Sequence, residues 1–218
     1  LIVGQTAPAQ ITLINEGYLN LSNKLNIKDT VRVYLRNTSP PYAIVDSAKG
    51  TIDSVNYTGS FLFANASNGT YYIQVKSRNC IETWSKPGGE AYNSGFSLVY
   101  NFTTASSQAY GSNLKLINSK HCIYSGDVTQ DGLIDLSDLQ NVDNSAFNFA
   151  IGYVTDDLTG DYVVDISDLT ITDNNAFNFV TKNVPPGAGP VLKNPVIREN
   201  ASKQTILDNS KYYKNMLR

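Results

Sequence analysis

Histidine is nearly missing from this 218-residue chain, and that absence removes a large part of enzyme chemistry. The one histidine, His121, precedes Cys122. Neighbours on a strand point to opposite faces, so these two do not form a dyad. Any Ser-His-Asp set would have to rest on this single histidine. Glutamate is scarce: Glu16, Glu82 and Glu90 are the only ones before residue 124, and nothing pairs two of them as a glycosidase requires. The chain is therefore expected not to be an enzyme. No apolar run is long enough to span a membrane. The basic residues are dispersed, which argues against nucleic-acid binding. Two cysteines, Cys80 and Cys122, are expected either to form one disulfide or to be two buried thiols.

Lysine and arginine are wholly missing between residues 121 and 181, where eleven aspartates fall. The rest of the chain holds eight acids and seventeen bases, so a net charge of −2 hides a segment of −11 beside a remainder of +9. The acidic segment is a duplication. Asp127-Val-Thr-Gln-Asp131-Gly-Leu-Ile-Asp135-Leu-Ser-Asp138 recurs 30 residues later as Asp157-Leu-Thr-Gly-Asp161-Tyr-Val-Val-Asp165-Ile-Ser-Asp168. The match runs on into Phe147-Asn148-Phe149 and Phe177-Asn178-Phe179, which read as packing residues. Each copy is expected to be one structural unit.

Acids at loop positions 1, 5, 9 and 12 have the spacing of an EF-hand loop, whose oxygens suit a hard cation taking six to eight ligands. Two calcium ions are expected. The first site takes Asp127, Thr129, Asp131, the carbonyl of Leu133, Asp135 and Asp138. The second takes Asp157, Thr159, Asp161, the carbonyl of Val163, Asp165 and Asp168. Position 6 is a sharp turn, filled by Gly132 in loop 1 but by Tyr162 in loop 2. Tyrosine at positive φ is strained, so the second loop departs from the pattern at this turn. The pairs Leu133/Val163, Ile134/Val164, Leu136/Ile166 and Leu139/Leu169 read as interior positions.

These paired loops, each opening a helix, resemble a type I dockerin module over residues 125 to about 184. The resemblance implies a loop and an exiting helix in each half, and a cohesin-like partner. It also implies partner contacts at loop positions 10 and 11, here Leu136, Ser137, Ile166 and Ser167.

Before the module, residues 15–123 read as short strands between turns, which suggests an antiparallel β-sandwich. Gly59-Ser-Phe61-Leu-Phe63, followed by Gly69-Thr-Tyr71, resembles the transthyretin-like or CnaB-like sandwich of secreted bacterial surface proteins. The fold class is thus mainly β. It divides into an apolar N-terminal strand (1–14), the sandwich (15–123), a dockerin-like module (124–184), and a linker with an extended C-terminal tail (185–218). Trp84 and the tyrosines could stack on sugars, but core packing is favoured. Thr30, Ser47 and Ser54, each after an aspartate, resemble acceptors of Bacteroidetes-type surface O-glycosylation.

The chain opens at Leu1 rather than Met, as a processed form would. Its apolar and Pro-rich ends are expected to be held by its own surface or by neighbouring subunits. Two functions follow. One is a secreted, calcium-stabilised structural protein that self-associates into an extracellular filament or surface layer through those ends. The alternative is a dockerin-type adaptor for a cohesin-like protein, with the sandwich as cargo or as a carbohydrate-binding module for glycans. Either places the chain outside the cell.

Overall fold

Strand β2 (Thr30–Asn37) shows how the pattern becomes structure. Val31, Val33 and Leu35 alternate with polar residues, and all three are buried on one face. Strand β5 (Gly69–Lys76) is buried from Tyr71 to Val75, because neighbours flank it and layers cover both faces. Together they centre a sheet in the order β3 (Ile44–Thr51), β2, β5, β6 (Thr83–Trp84), with β7 (Glu90–Tyr92) also on β5. A second sheet runs β4 (Thr58–Phe61), β1 (Ala9–Thr12), β8 (Val99–Asn101). A hairpin of β9 (Lys115–Ile117) and β10 (Lys120–Cys122) follows. Helices α1 (Leu136–Phe147) and α2 (Ile166–Phe177) complete the order.

This computed structural model describes residues 7–188. Among them the chain is mainly β, with several sheets and two α-helices, consistent with a β-sandwich. One pairing departs from an all-antiparallel sandwich: β1 runs parallel to β8, with Ile11 opposite Tyr100. Strand β3 is longer than its sequence suggests. Ser47-Ala-Lys-Gly50 has poor strand propensity, yet it pairs with β2 along its length, from Asp46 opposite Leu35 to Thr51 opposite Thr30. Tertiary pairing overrides propensity there.

One apolar core joins the sheets, and the acidic module enters it. Ile134, at loop position 8, is fully buried among the sandwich residues, with Ala176 and Val180 packed alongside. Burying such a side chain contributes roughly 1.5–3 kcal/mol, enough to hold the module on the sandwich at this point. A small second core of Val142, Leu158 and Val164 lies within the module itself.

The structure decides between readings that the sequence left open. Cys80 and Cys122 are free buried thiols rather than a disulfide. Cys80 sits beside the Ser125 hydroxyl, and burial pushes the Cys122 thiol up to about 12. Trp84 is 1 % exposed and donates to Glu82 at 2.7 Å, so its ring is not offered to a sugar. It packs with Tyr42 and Tyr72, and Val184 and Ala188 of the linker lie against that cluster. The 1–6 stretch and the 189–218 tail, on which the self-association expectation rests, lie outside the described residues.

Candidate functional site

Each loop is built by its own carboxylates. Asp135 and Asp165 cap the helices: each accepts from the amide two residues on (Ser137 and Ser167), while Asp138 and Asp168 accept back from the cap amides. These reciprocal capping boxes satisfy amides that a helix start leaves without partners. Position 1 folds the loop. Asp127 accepts from the amides of Asp131 and Gly132, and Asp157 from those of Gly160 and Tyr162. Position 12 closes it: Asp138 accepts from Thr129, and Asp168 from Leu158 and Thr159. Asp131 and Asp161 accept from the amides of Leu133 and Val163. Those two residues each form a β-bridge, Leu133 to Thr181 and Val163 to Ile151. The loop of each copy is thereby tied to the helix exit of the other copy.

Both loops need positive φ at positions 4 and 6, and each supplies glycine at only one. Loop 1 has Gln130 (φ 59) and Gly132 (φ 94); loop 2 has Gly160 (φ 72) and Tyr162 (φ 72). The tyrosine at positive φ is thus real, and the glycine has moved two positions rather than vanished. Packing explains where it went. A Cβ on Gly160 would stand 2.5 Å from Ile27 Cγ2 of the sandwich. Gly160→Ala is expected to cost about 1–3 kcal/mol through this overlap, read as a lower thermal midpoint.

The electrostatics differ between the loops. Asp127, Asp138, Asp157 and Asp168 are all essentially buried. Burial, with the charges of Asp138 and Asp131, pushes Asp127 up to about 7. Burial likewise raises Asp168, with a further push from Asp157. Among the described residues no ion pair reaches a loop 1 carboxylate, whereas Arg78 stands 3.6 Å from Asp157. Among the same residues, no three His, Cys, Asp or Glu side chains converge as a ready metal cluster. The carboxylates are turned onto loop amides instead. In kind the donors fit a hard divalent cation: acid oxygens, some of them buried without a countercharge, with hydroxyls and carbonyls beside them.

Arg78 belongs to a buried network between sandwich and loop 2. It pairs with Asp29 at 3.0 Å, lies over the Tyr153 ring, and donates to the carbonyls of Val154 and Asp157. Burial alone would raise the Asp29 carboxyl, yet hydrogen bonds from Tyr153 and Tyr18 and the guanidinium outweigh it and hold it below the usual range. A depressed acid stabilises the fold above its unfolded value of about 3.9, and this stability is lost as pH falls through the lower folded value. Asp29→Asn is expected to lose stability at neutral pH and to flatten the acid limb of a Tm–pH profile below about pH 4.

The residues expected at partner positions are exposed. Leu136 is 73 % and Ile166 68 % exposed, and Ser137 and Ser167 lie beside them at the surface. Leu136 and Ile166 are therefore not interior, and of the four apolar pairs only Ile134 and Val164 are fully buried. With Leu139, Leu169, Gln140 and Asp143 they line a groove of about 460 Å³ between the helices, which Thr170 and Asp173 complete. Solved structures offer a distant likeness. Among the chains that match are two from a C-terminal and an N-terminal interface mutant of the type II Cohesin-X-Dockerin complex of Acetivibrio cellulolyticus. TM-scores are 0.48 and 0.47 at 14 % and 17 % identity, covering 79 % and 81 % of this chain and 99 % and 96 % of those chains. No protein-family model matches the chain, and no curated protein does. At that level of similarity the reading below stands on this chain's own residues.

The Phe-Asn-Phe ends are not packing residues. Phe147, Phe149, Phe177 and Phe179 are all more than three-quarters exposed. Their asparagines stop the helices: Asn148 and Asn178 donate back to the carbonyls of Asn144 and Asn174. Phe149 and Phe179 then turn the chain at positive φ. The acceptor-like Thr30, Ser47 and Ser54 are exposed or half-buried, and their aspartates have structural partners of their own. Asp29 pairs with Arg78, Asp46 accepts from Asn65 and Ala66, and Asp53 pairs with Lys28. No local signal points to Arg78 and Asn79, which hold loop 2; an Arg-Asn pair between strands carries no motif.

Proposed function

We propose that this chain is a secreted, calcium-stabilised binding module of dockerin type. In this reading it takes a cohesin-like protein partner on the face formed by α1 and α2. The observation that carries it is the exposed, duplicated groove of Leu136, Leu139, Ile166 and Leu169. A large apolar side chain at matching positions of two helices, rimmed by polar residues, suits a protein interface. Calcium, held by Asp127, Thr129, Asp131, Leu133, Asp135 and Asp138 and by their counterparts Asp157 to Asp168, would supply charge that the buried acids lack. The loop residues set the first turn of each helix and so the positions of Leu136 and Ile166. Binding energy that exists only in the folded state adds to folding energy. Millimolar calcium outside cells suits such loops. Among the described residues no helix is long and apolar enough to cross a membrane.

The sandwich serves here as the support on which the module is built. Polymer formation through the N-terminal strand is less well supported, since β1 is paired on both sides within its own sheet. The test is capture of cohesin domains on the immobilised chain, with calcium and with chelator. Calcium-dependent retention is the expected result; no retention across a panel of cohesin types would overturn the reading.

A further inference from the structure

The two loops share a sequence pattern but not a charge environment. Loop 2 is held from outside. Asn79 donates to the carbonyls of Thr155 and Asp157 at 3.1 and 2.9 Å, and Asn26 to that of Thr159 at 2.9 Å. Arg78 spends its whole fork at the same place. Its Nε faces Asp29 and the Tyr18 hydroxyl, Nη1 donates to Val154, and Nη2 lies 3.2 Å from the Asp157 carbonyl and 3.6 Å from its carboxylate. The guanidinium is 13 % exposed and Asp157 is fully buried. Arginine cannot shed its proton, so this is a permanent charge in a fixed position. Loop 1 touches the sandwich through uncharged groups: Gly126 donates to the Asn79 carbonyl and Gln130 to the Cys80 carbonyl. Lys182 lays its stem and its ammonium against Gly132, where a Cβ would stand 2.9 Å from Nζ, yet among the described residues it forms no ion pair with a loop 1 acid.

We propose that Arg78 is a resident counter-ion of loop 2, fixed by Asp29 and Tyr18, so that loop 2 keeps its fold at calcium levels where loop 1 opens. Buried acids repel one another unless a cation stands among them, and removing that cation is costly. Loop 2 retains one from its own chain. Loop 1 has no such ion pair among the described residues and depends on a bound ion, a statement that rests on the calcium reading proposed above. The Ile166/Leu169 half of the groove is then constant, and the Leu136/Leu139 half is under calcium control. Arg78 acts as a positioning residue for the second half.

Hydrogen exchange on the full chain tests this, with calcium and with chelator. In chelator, the amides of Thr129, Asp131, Gly132 and Asp135 are expected to exchange at least about tenfold faster than those of Thr159, Gly160, Tyr162 and Asp165. Arg78→Gln is expected to abolish that gap, and Arg78→Lys, which keeps the charge, to restore part of it. Equal exchange of the two loops in wild-type chain under chelator overturns the proposal, and so does a gap that survives in a folded Arg78→Gln. Should Arg78→Gln not fold, the wild-type comparison alone decides. Calcium that changes exchange in neither loop removes the calcium reading, while the gap and its dependence on Arg78 still judge the counter-ion.

Discussion

Asp138→Ala is expected to lower calcium stoichiometry from two to one and to cost about 2–4 kcal/mol in calcium. Asp138 is fully buried. One oxygen accepts from Thr129 at 2.9 Å, and the other accepts from Asp135 at 3.0 Å as half of the capping box. Alanine leaves both amides without that partner. A lost cap costs about 1 kcal/mol and a buried orphaned amide about 1–3. The change also relieves repulsion with Asp127, which sets the upper bound. Titration calorimetry and a thermal melt read the two effects. Two equivalents of calcium with an unchanged midpoint would show the ligand assignment to be wrong.

The second large effect falls on binding alone. Replacing Leu136 and Ile166 together by aspartate is expected to weaken partner capture by about 100-fold or more, because they are the two most exposed large apolar side chains lining the groove. Stability is expected to stay within about 0.5 kcal/mol, since both side chains are largely exposed. A double variant that melts normally but binds as before would move the interface elsewhere. The neighbouring candidates are the exposed Phe147, Phe149, Phe177 and Phe179. The single variants separate the two halves of the groove. With calcium removed, the Arg78 proposal expects Ile166→Asp to matter more than Leu136→Asp.

Much of the loop architecture could be read directly from the chain. The 30-residue repeat marked both loops, and Asp135 and Asp165 open helices where the spacing places them. The strands β2 and β5 lie where alternation and aromatic content put them. Local interactions explain this success: capping boxes, Asx turns and pleat alternation depend on residues a few positions apart. The errors share the opposite cause. Leu136 and Phe149 look interior in sequence because hydrophobicity alone does not say which side of a helix finds a neighbour. The parallel pairing of β1 with β8 joins residues about 90 positions apart, and no local pattern encodes it.

Tyr162 shows the same division in one residue. The sequence marked it as strained, and it does stand at positive φ. Only the folded chain reveals why the glycine sits at position 160 instead, against Ile27. By itself, then, the sequence determined the repeat, the acidic spacing of each loop, the helix starts and the β-rich character of the first 123 residues. Each of these follows from the chemistry of near neighbours. Tertiary structure decided that the cysteines stay free and that Ile134 enters the sandwich core. It also decided that the paired helices leave an open apolar groove and that Arg78 reaches loop 2 and not loop 1. Those outcomes depend on which distant surfaces meet, and on the buried charges and volumes they must then accommodate.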